Sequence, residues 1–281
     1  MKNISIGIMQ GRLTPPKGRG IQFFPFEEWE DEFGKAAKLG FDEIEFIFDL
    51  DRYKENPLWS ATGRRKIKKL IRKSGVKVNH ICADFFMRRP FFRNDKKIIA
   101  DNIKVLKKLI KYSSEIGARN IEIPILDNGS LKTSLERKQF VAAVKSCLSM
   151  ARKHKINIGI ESDLKAGDLV DLIGQFEGFK IHIVYDSGNS SSLGYDCSEE
   201  MSRFGHLIGN VHIKDRVKGG STVALGTGSA NFNHLFEGLK EKKYKGSLIL
   251  QAARGEDGKE EETLLRYVDF VNNYLDKHKL V

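Results

Sequence analysis

The chain has 281 residues, 40% hydrophobic and 30% charged, and its 48 basic and 37 acidic side chains give a net charge of +11. That length can bury a substantial core, and the composition is that of a globular chain rather than a low-complexity one. No apolar run nears the eighteen residues of a membrane span, and Cys82, Cys147 and Cys197 are spaced for neither a disulfide framework nor a zinc knuckle.

Met1-Lys2-Asn3 and the apolar residues 4–9 are too short for a signal-peptide core, so a cytoplasmic, reducing setting is expected. Residues 4–9 read instead as a first strand. A loop with Gly and Pro follows over 10–25, then a helix over 26–38 that stops at Gly40. The second strand is 41–47. Residues 57–60 lead into a helix ending at Gly75, and between residues 60 and 77 stand eight Lys or Arg and no acid. Such a run suits nucleic acid, but a solvated helix face explains it as well. The third strand is 76–83, followed by an Arg- and Phe-rich loop, 85–94.

Ile99, Ile103, Leu106 and Ile110 repeat at helical spacing until Gly117. A fourth strand at 121–126 precedes a helix whose inner face is Phe140, Val144, Cys147 and Ala151. The pattern then repeats: strand 156–161, helix 165–176, strand 181–186, helix 197–207, strand 210–215, a helix capped by Asn231, strand 247–251, and a last helix over 260–278. Eight strand–helix units in about 280 residues predict an α/β fold, a closed (β/α)8 TIM barrel, as a single domain over residues 1–281. The rival is an open doubly wound sheet, but no G-x-G-x-x-G follows the first strand.

Four of these strands finish in a metal-competent side chain: Glu161, Asp186, His212 and Gln251. Parallel strands in sequence would stand them in a ring at the carboxyl ends, where two carboxylates, an imidazole and an amide oxygen suit a divalent cation. Side chains alternate along a strand. If Glu161 faces inward, so do Asn157 and Gly159, and by the same parity His182, Val184, Asp186, Asn210, His212 and Lys214; the intervening positions are largely apolar. Taken singly, each has a plainer explanation: a strand-end His is commonly a hydrogen-bonded core residue, and Asp186-Ser187-Gly188-Asn189 could be an Asx turn.

At Ile158-Gly159-Ile160-Glu161, Tyr185-Asp186-Ser187-Gly188-Asn189, Val211-His212-Ile213-Lys214-Asp215 and Leu225-Gly226-Thr227-Gly228 the sequence resembles the xylose isomerase-like barrels, specifically their sugar-phosphate isomerase/epimerase branch. The opening Gly7-Ile8-Met9-Gln10-Gly11-Arg12-Leu13 is similar to that branch too. The resemblance implies a metal-dependent isomerase or epimerase of a small sugar or sugar phosphate, with one divalent ion (Mn, Mg, Co or Zn) on Glu161, Asp186 and His212. The family's fourth ligand is a glutamate, and its two glutamates serve as bases on opposite faces of the sugar. Gln251 keeps an oxygen for the ion but cannot be a base. Glu161 is then the expected base, and Glu256 is a candidate replacement for the missing one. Arg12, His182, Lys214 and Arg254 are candidate substrate contacts, and the amides of Gly226–Ser229 a candidate phosphate cradle.

Competing readings are a dehydratase or lyase of a polyol or keto acid, a phosphodiesterase of the apurinic-endonuclease kind, and a barrel that binds a sugar without converting it. The second would need a histidine-rich three-zinc cluster, and of seven histidines only His80, His182 and His212 fall in strands. Nucleic-acid and membrane partners are not expected, and a homo-oligomer is left open.

Overall fold

The computed structural model describes residues 4–280; the reading of Met1-Lys2-Asn3 lies outside them. In chain order the first half holds β1 (Ser5–Met9), α1 (Asp31–Lys38), β2 (Glu43–Ile47), α2 (Ala61–Ser74), β3 (His80–Cys82), α3 (Phe85–Arg88), α4 (Lys96–Ile116) and β4 (Asn120–Ile125). The second half holds α5 (Ser134–His154), β5 (Asn157–Ser162), α6 (Ala166–Gly174), β6 (Ile181–Asp186), α7 (Ser187–Leu193), α8 (Cys197–Phe204) and β7 (Ile208–Ile213). It ends with β8 (Asp215–Arg216), β9 (Thr222–Val223), α9 (Phe232–Glu241), β10 (Ser247–Leu250) and α10 (Glu260–His278).

Strands β1 to β7 and β10 form one closed barrel in the order β1-β10-β7-β6-β5-β4-β3-β2, while β8 and β9 pair as a separate antiparallel hairpin. The expected eight-stranded barrel is therefore present, and the ladders run parallel, β1 joining both β10 and β2. Outward positions carry the apolar core: Ile8, Ile44, Phe46, Ile121, Ile123, Ile158, Ile160, Val211, Ile213, Leu248 and Leu250 are wholly buried. Many inward positions are polar. Glu43, Glu45, Asn210 and His212 are equally buried, and His80, Glu122, Glu161, Asp186, Ser247 and Gln251 nearly so. Among the described residues no helix is long and apolar enough to cross a membrane.

Internal contacts gather into two compact units, residues up to 45 with 74–77 and those from 184 on, and residues 46–73 with 78–183. The first binds its inner polar groups to each other, the Ser5 hydroxyl donating to Glu43 at 2.7 Å and meeting the Ser247 hydroxyl at 3.0 Å. In the second, the Asn157 amide donates to Asn120 at 3.2 Å, and Asn120 lies 3.5 Å from the His80 ring. Helix ends follow local rules. Thr133 and Glu136 form a capping box at the start of α5, and Gly117, at φ 95°, closes α4.

Several boundaries differ from expectation, and the strand expected at 210–215 is β7 at Ile208–Ile213, with Asp215 in the β8–β9 hairpin. Residues 26–30 turn rather than wind, because the amides of Glu28 and Trp29 both donate to the Pro25 carbonyl, and α1 begins only at Asp31. The third strand is shorter than 76–83, since Lys77 meets Glu43 only in an isolated bridge and the ladder starts at His80. The loop at 85–94 begins with the short helix α3. Helix α7 lacks any apolar period and forms because Asp186 caps it. The basic run proved to be the solvent face of α2, with Ile67 buried beneath it and Arg64 paired to Glu115 at 2.6 Å.

The long connection after β1 is held by one carboxylate. Glu32, wholly buried in α1, accepts from the Gly11 amide at 3.0 Å and the Thr14 hydroxyl at 2.9 Å. Burial raises its carboxyl from 4.5 to about 7, against the pull of those donors and of Lys35 and Arg254. The folded chain thus holds this proton more tightly than the unfolded one. The stabilisation is complete below pH 4.5 and lost as pH rises through about 7, an effect of about 3 kcal/mol. Glu32→Gln is expected to flatten the fall in unfolding free energy across this window, measured by denaturant titration at a series of pH values; an unchanged slope would remove Glu32 as its source.

Candidate metal centre at the carboxyl ends of the strands

Asp186 is the last residue of β6 and the cap of α7. One carboxylate oxygen, Oδ1, accepts the Asn189 amide at 2.7 Å, so the Asx-type turn is real. The other, Oδ2, lies 4.0 Å from His212 Nδ1 and 3.3 Å from Lys214 Nζ. One carboxylate thus does both jobs: it starts a helix and faces the centre. His212, one strand over, has its Nε2 2.8 Å from Glu45 Oε2, and both side chains are fully buried. Glu45 Oε1 in turn accepts from the Asn210 amide at 3.4 Å.

Glu161 ends the inward series of β5 and is buried. Asp186 and His212 are buried as well, with Oδ2 of the one 4.0 Å from Nδ1 of the other. Gln251 follows β10. Its Oε1 accepts from Lys214 Nζ at 3.0 Å and its Nε2 donates to Gln22 at 3.0 Å, so the amide is oriented with its oxygen toward Lys214 and Asp186. Two carboxylates, an imidazole and an amide oxygen are a donor set that fits a divalent ion of the Mn, Mg, Co or Zn kind.

The other candidates lie elsewhere or are occupied. Arg12 donates to the carbonyls of Ile21 and of Gln251, the latter at 3.4 Å. Arg254 donates to the carbonyls of Ile21, Thr14 and Gly11 at 3.1, 2.9 and 2.8 Å and stacks over Phe23. Both guanidiniums clasp the loop after β1. His182 aligns with Gly159 near the start of β6, four residues before Asp186, roughly 13 Å along a strand. Burial pushes its imidazole down to about 4, and the neighbouring His80 adds to the effect, so it is neutral at ordinary pH. Glu256 points to solvent, paired with Lys259 at 2.6 Å, and does not reach the centre.

The proposed phosphate cradle is filled by the protein itself. Asp215 Oδ2 accepts the amides of Gly226 and Gly228, each at 2.9 Å, and Oδ1 accepts that of Ala230 at 3.0 Å. A Cβ at Gly228 would sit 2.3 Å from Asp215 Oδ1, so only glycine lets the loop close on the carboxylate.

Sequence reasoning missed two buried residues, Glu45, which stands behind His212, and Glu122 on β4. The signal was available. Glu43-Ile44-Glu45-Phe46 and Asn120-Ile121-Glu122-Ile123 alternate polar and apolar in phase with the inward parity of the other strands.

Residues 33–272 match the family described as xylose isomerase-like TIM barrel. Among curated proteins, the L-ribulose-5-phosphate 3-epimerase UlaE of Escherichia coli (strain SMS-3-5 / SECEC) is 27% identical over 261 residues, 89% of this chain and 87% of that protein. A xylose isomerase domain protein from Planctomyces limnophilus superposes with a TM-score of 0.78 at 16% identity, over 99% of both chains. A D-psicose 3-epimerase solved in the presence of D-fructose gives 0.77 at 14% identity, over 96% of this chain and 99% of that one. At such identities the structural likeness shows the fold alone.

Asp215→Asn replaces one acceptor oxygen with an NH2 group that cannot accept. The amides of Gly226 and Gly228, or that of Ala230, are expected to exchange hydrogen roughly 10- to 100-fold faster, matching 1.5–3 kcal/mol for a bond to a charged group. Unchanged protection would mean that the loop is held by other contacts.

Proposed function

This chain belongs to the xylose isomerase-like TIM barrel family, and from that premise we propose that it is a metal-dependent isomerase or epimerase of a small ketose or its phosphate. The observation that carries the reading is the buried pair Asp186 and His212, 4.0 Å apart at the ends of β6 and β7, to which the family resemblance adds the Glu161 carboxylate. A divalent ion held there, with the Gln251 oxygen as a further donor, would draw charge from a sugar's carbonyl and hydroxyl oxygens.

Glu161 is the base. Its carboxylate takes the proton from the carbon next to the carbonyl, which leaves an enediolate, and returns it to the same or the adjacent carbon. Gln251 presents an amide where a two-base epimerase needs a second carboxylate, and with Glu256 in solvent the reaction has one base. Aldose–ketose isomerisation through one shuttling carboxylate meets that limit. So does elimination of water from a polyol or keto acid, which is the second reading and differs by losing water from the product. The phosphodiesterase reading loses support, because the metal-competent groups among the described residues draw on no histidine but His212.

Lys214 is the cation that meets the substrate. Its ammonium now bridges Asp186 Oδ2 and Gln251 Oε1, two of the oxygens that would face an ion. An ion held on these oxygens would compete with the ammonium, which would leave Lys214 free to meet the ligand. The Gly226–Ala230 amides, taken up by Asp215, do not serve a phosphate.

Glu161→Gln keeps an oxygen for the ion and removes the proton acceptor. Metal content is expected to persist while turnover of a ketose panel and deuterium incorporation from solvent fall by roughly 10²–10⁴; full activity would end the base assignment. Lys214→Met is expected to tighten Mn²⁺ binding by roughly 10-fold, a modest relief of like-charge repulsion, while lowering turnover. Weaker Mn²⁺ binding would show that Lys214 supports the site instead of competing for it.

A further inference from the structure

The proposed centre needs one particular nitrogen of His212, and the structure contains a group that selects it. His212 Nδ1 faces Asp186 Oδ2 at 4.0 Å, while Nε2 lies 2.8 Å from Glu45 Oε2 on the other side of the ring. An ionised carboxylate only accepts hydrogen bonds. At 2.8 Å a bare Nε2 would set lone pair against lone pair, so the proton of a neutral imidazole belongs on Nε2. Nδ1 then carries the lone pair, on the Asp186 side. Glu45 is itself fixed from two directions, its second oxygen accepting from the wholly buried Asn210 and its backbone carbonyl from the Gln10 amide at 3.0 Å.

Resting on the metal reading above, we propose that Glu45 is a positioning residue: it locks His212 in the Nε2–H tautomer and at the ring angle that aims Nδ1 into the metal centre. Glu45 touches neither substrate nor ion in this role and acts through His212 alone. A carboxylate behind a ligating imidazole fixes its tautomer and raises its basicity. The arrangement also explains why a carboxylate stands at this level of β2, 167 residues from its partner, where an apolar side chain would fill the same space without a buried charge. Glutamine at the position would not do the same work, since its amide can donate to Nε2 and so stabilise the opposite tautomer.

The test uses the full chain with its histidines ¹⁵N-labelled in the ring. In the unmutated, metal-free protein the two His212 nitrogen shifts should report a protonated Nε2 and a bare Nδ1. The reverse assignment overturns the proposal without any variant. Glu45→Gln should shift those resonances toward Nδ1–H and weaken Mn²⁺ binding by isothermal titration by roughly 10- to 100-fold. Glu45→Asp, which keeps an acceptor, should recover part of both. Unchanged tautomer and affinity in a folded Glu45→Gln protein would overturn the role. So would binding of two ions per chain with one lost in that variant, since Glu45 would then be a ligand. The expected tautomer in a protein that binds no Mn²⁺ would overturn the metal reading while upholding the selection of the tautomer by Glu45.

Discussion

Eight parallel strands closed on themselves put every second side chain into an enclosed interior, and this chain fills its interior with carboxylates, amides and imidazoles. A buried charge is tolerated only when paired or hydrogen-bonded, and that constraint organises the rest. Glu43 is answered by Ser5, Glu45 by His212 and Asn210, and Asp186 by Lys214 and the first turn of α7. The isoleucines, leucines and valines of the opposite parity supply the hydrophobic contribution to folding. Polar interior and apolar exterior are two consequences of one period-two pattern.

A second theme is that carboxylates of the chain occupy the places where backbone amides would otherwise welcome an anion. Asp186 caps α7, Glu32 gathers the amide of Gly11, and Asp215 collects three amides of the loop after the β8–β9 hairpin. Arg12 and Arg254 are spent on carbonyls of the loop after β1. These groups are thereby bonded within the protein, and Lys214 lies between Asp186 and Gln251. Gln251 is part of the same network. Its amide accepts from Lys214 with one end and donates to Gln22 with the other.

Likeness of fold does not carry a substrate with it. UlaE, at 27% identity, is named as an L-ribulose-5-phosphate 3-epimerase. At the ends of β5 and β10 this chain carries one carboxylate, Glu161, and one amide, Gln251. The chemistry assigned above follows from that difference in side chains, not from the barrel they share.

Much of this was legible in the sequence. Alternating strand and helix signals determined the barrel, because a parallel strand needs a crossover helix and eight such units close. Strand parity, a purely local property, placed Glu161, Asp186 and His212 inward at matching ends. The sequence also showed that Gln251 cannot be a base, since that depends on the functional group and not on its surroundings. Only the tertiary structure decided what each group is bonded to. That Glu45 stands behind His212, that Asp215 rather than a ligand fills the Gly226–Ala230 amides, that Arg12 and Arg254 clasp a loop, and that Glu256 lies in solvent all depend on pairings between residues far apart in the chain or on loop paths without periodicity. Periodicity says which face a side chain takes. Its partner across the barrel is set by how strand register and loop closure bring distant segments together, and no local pattern encodes that distance.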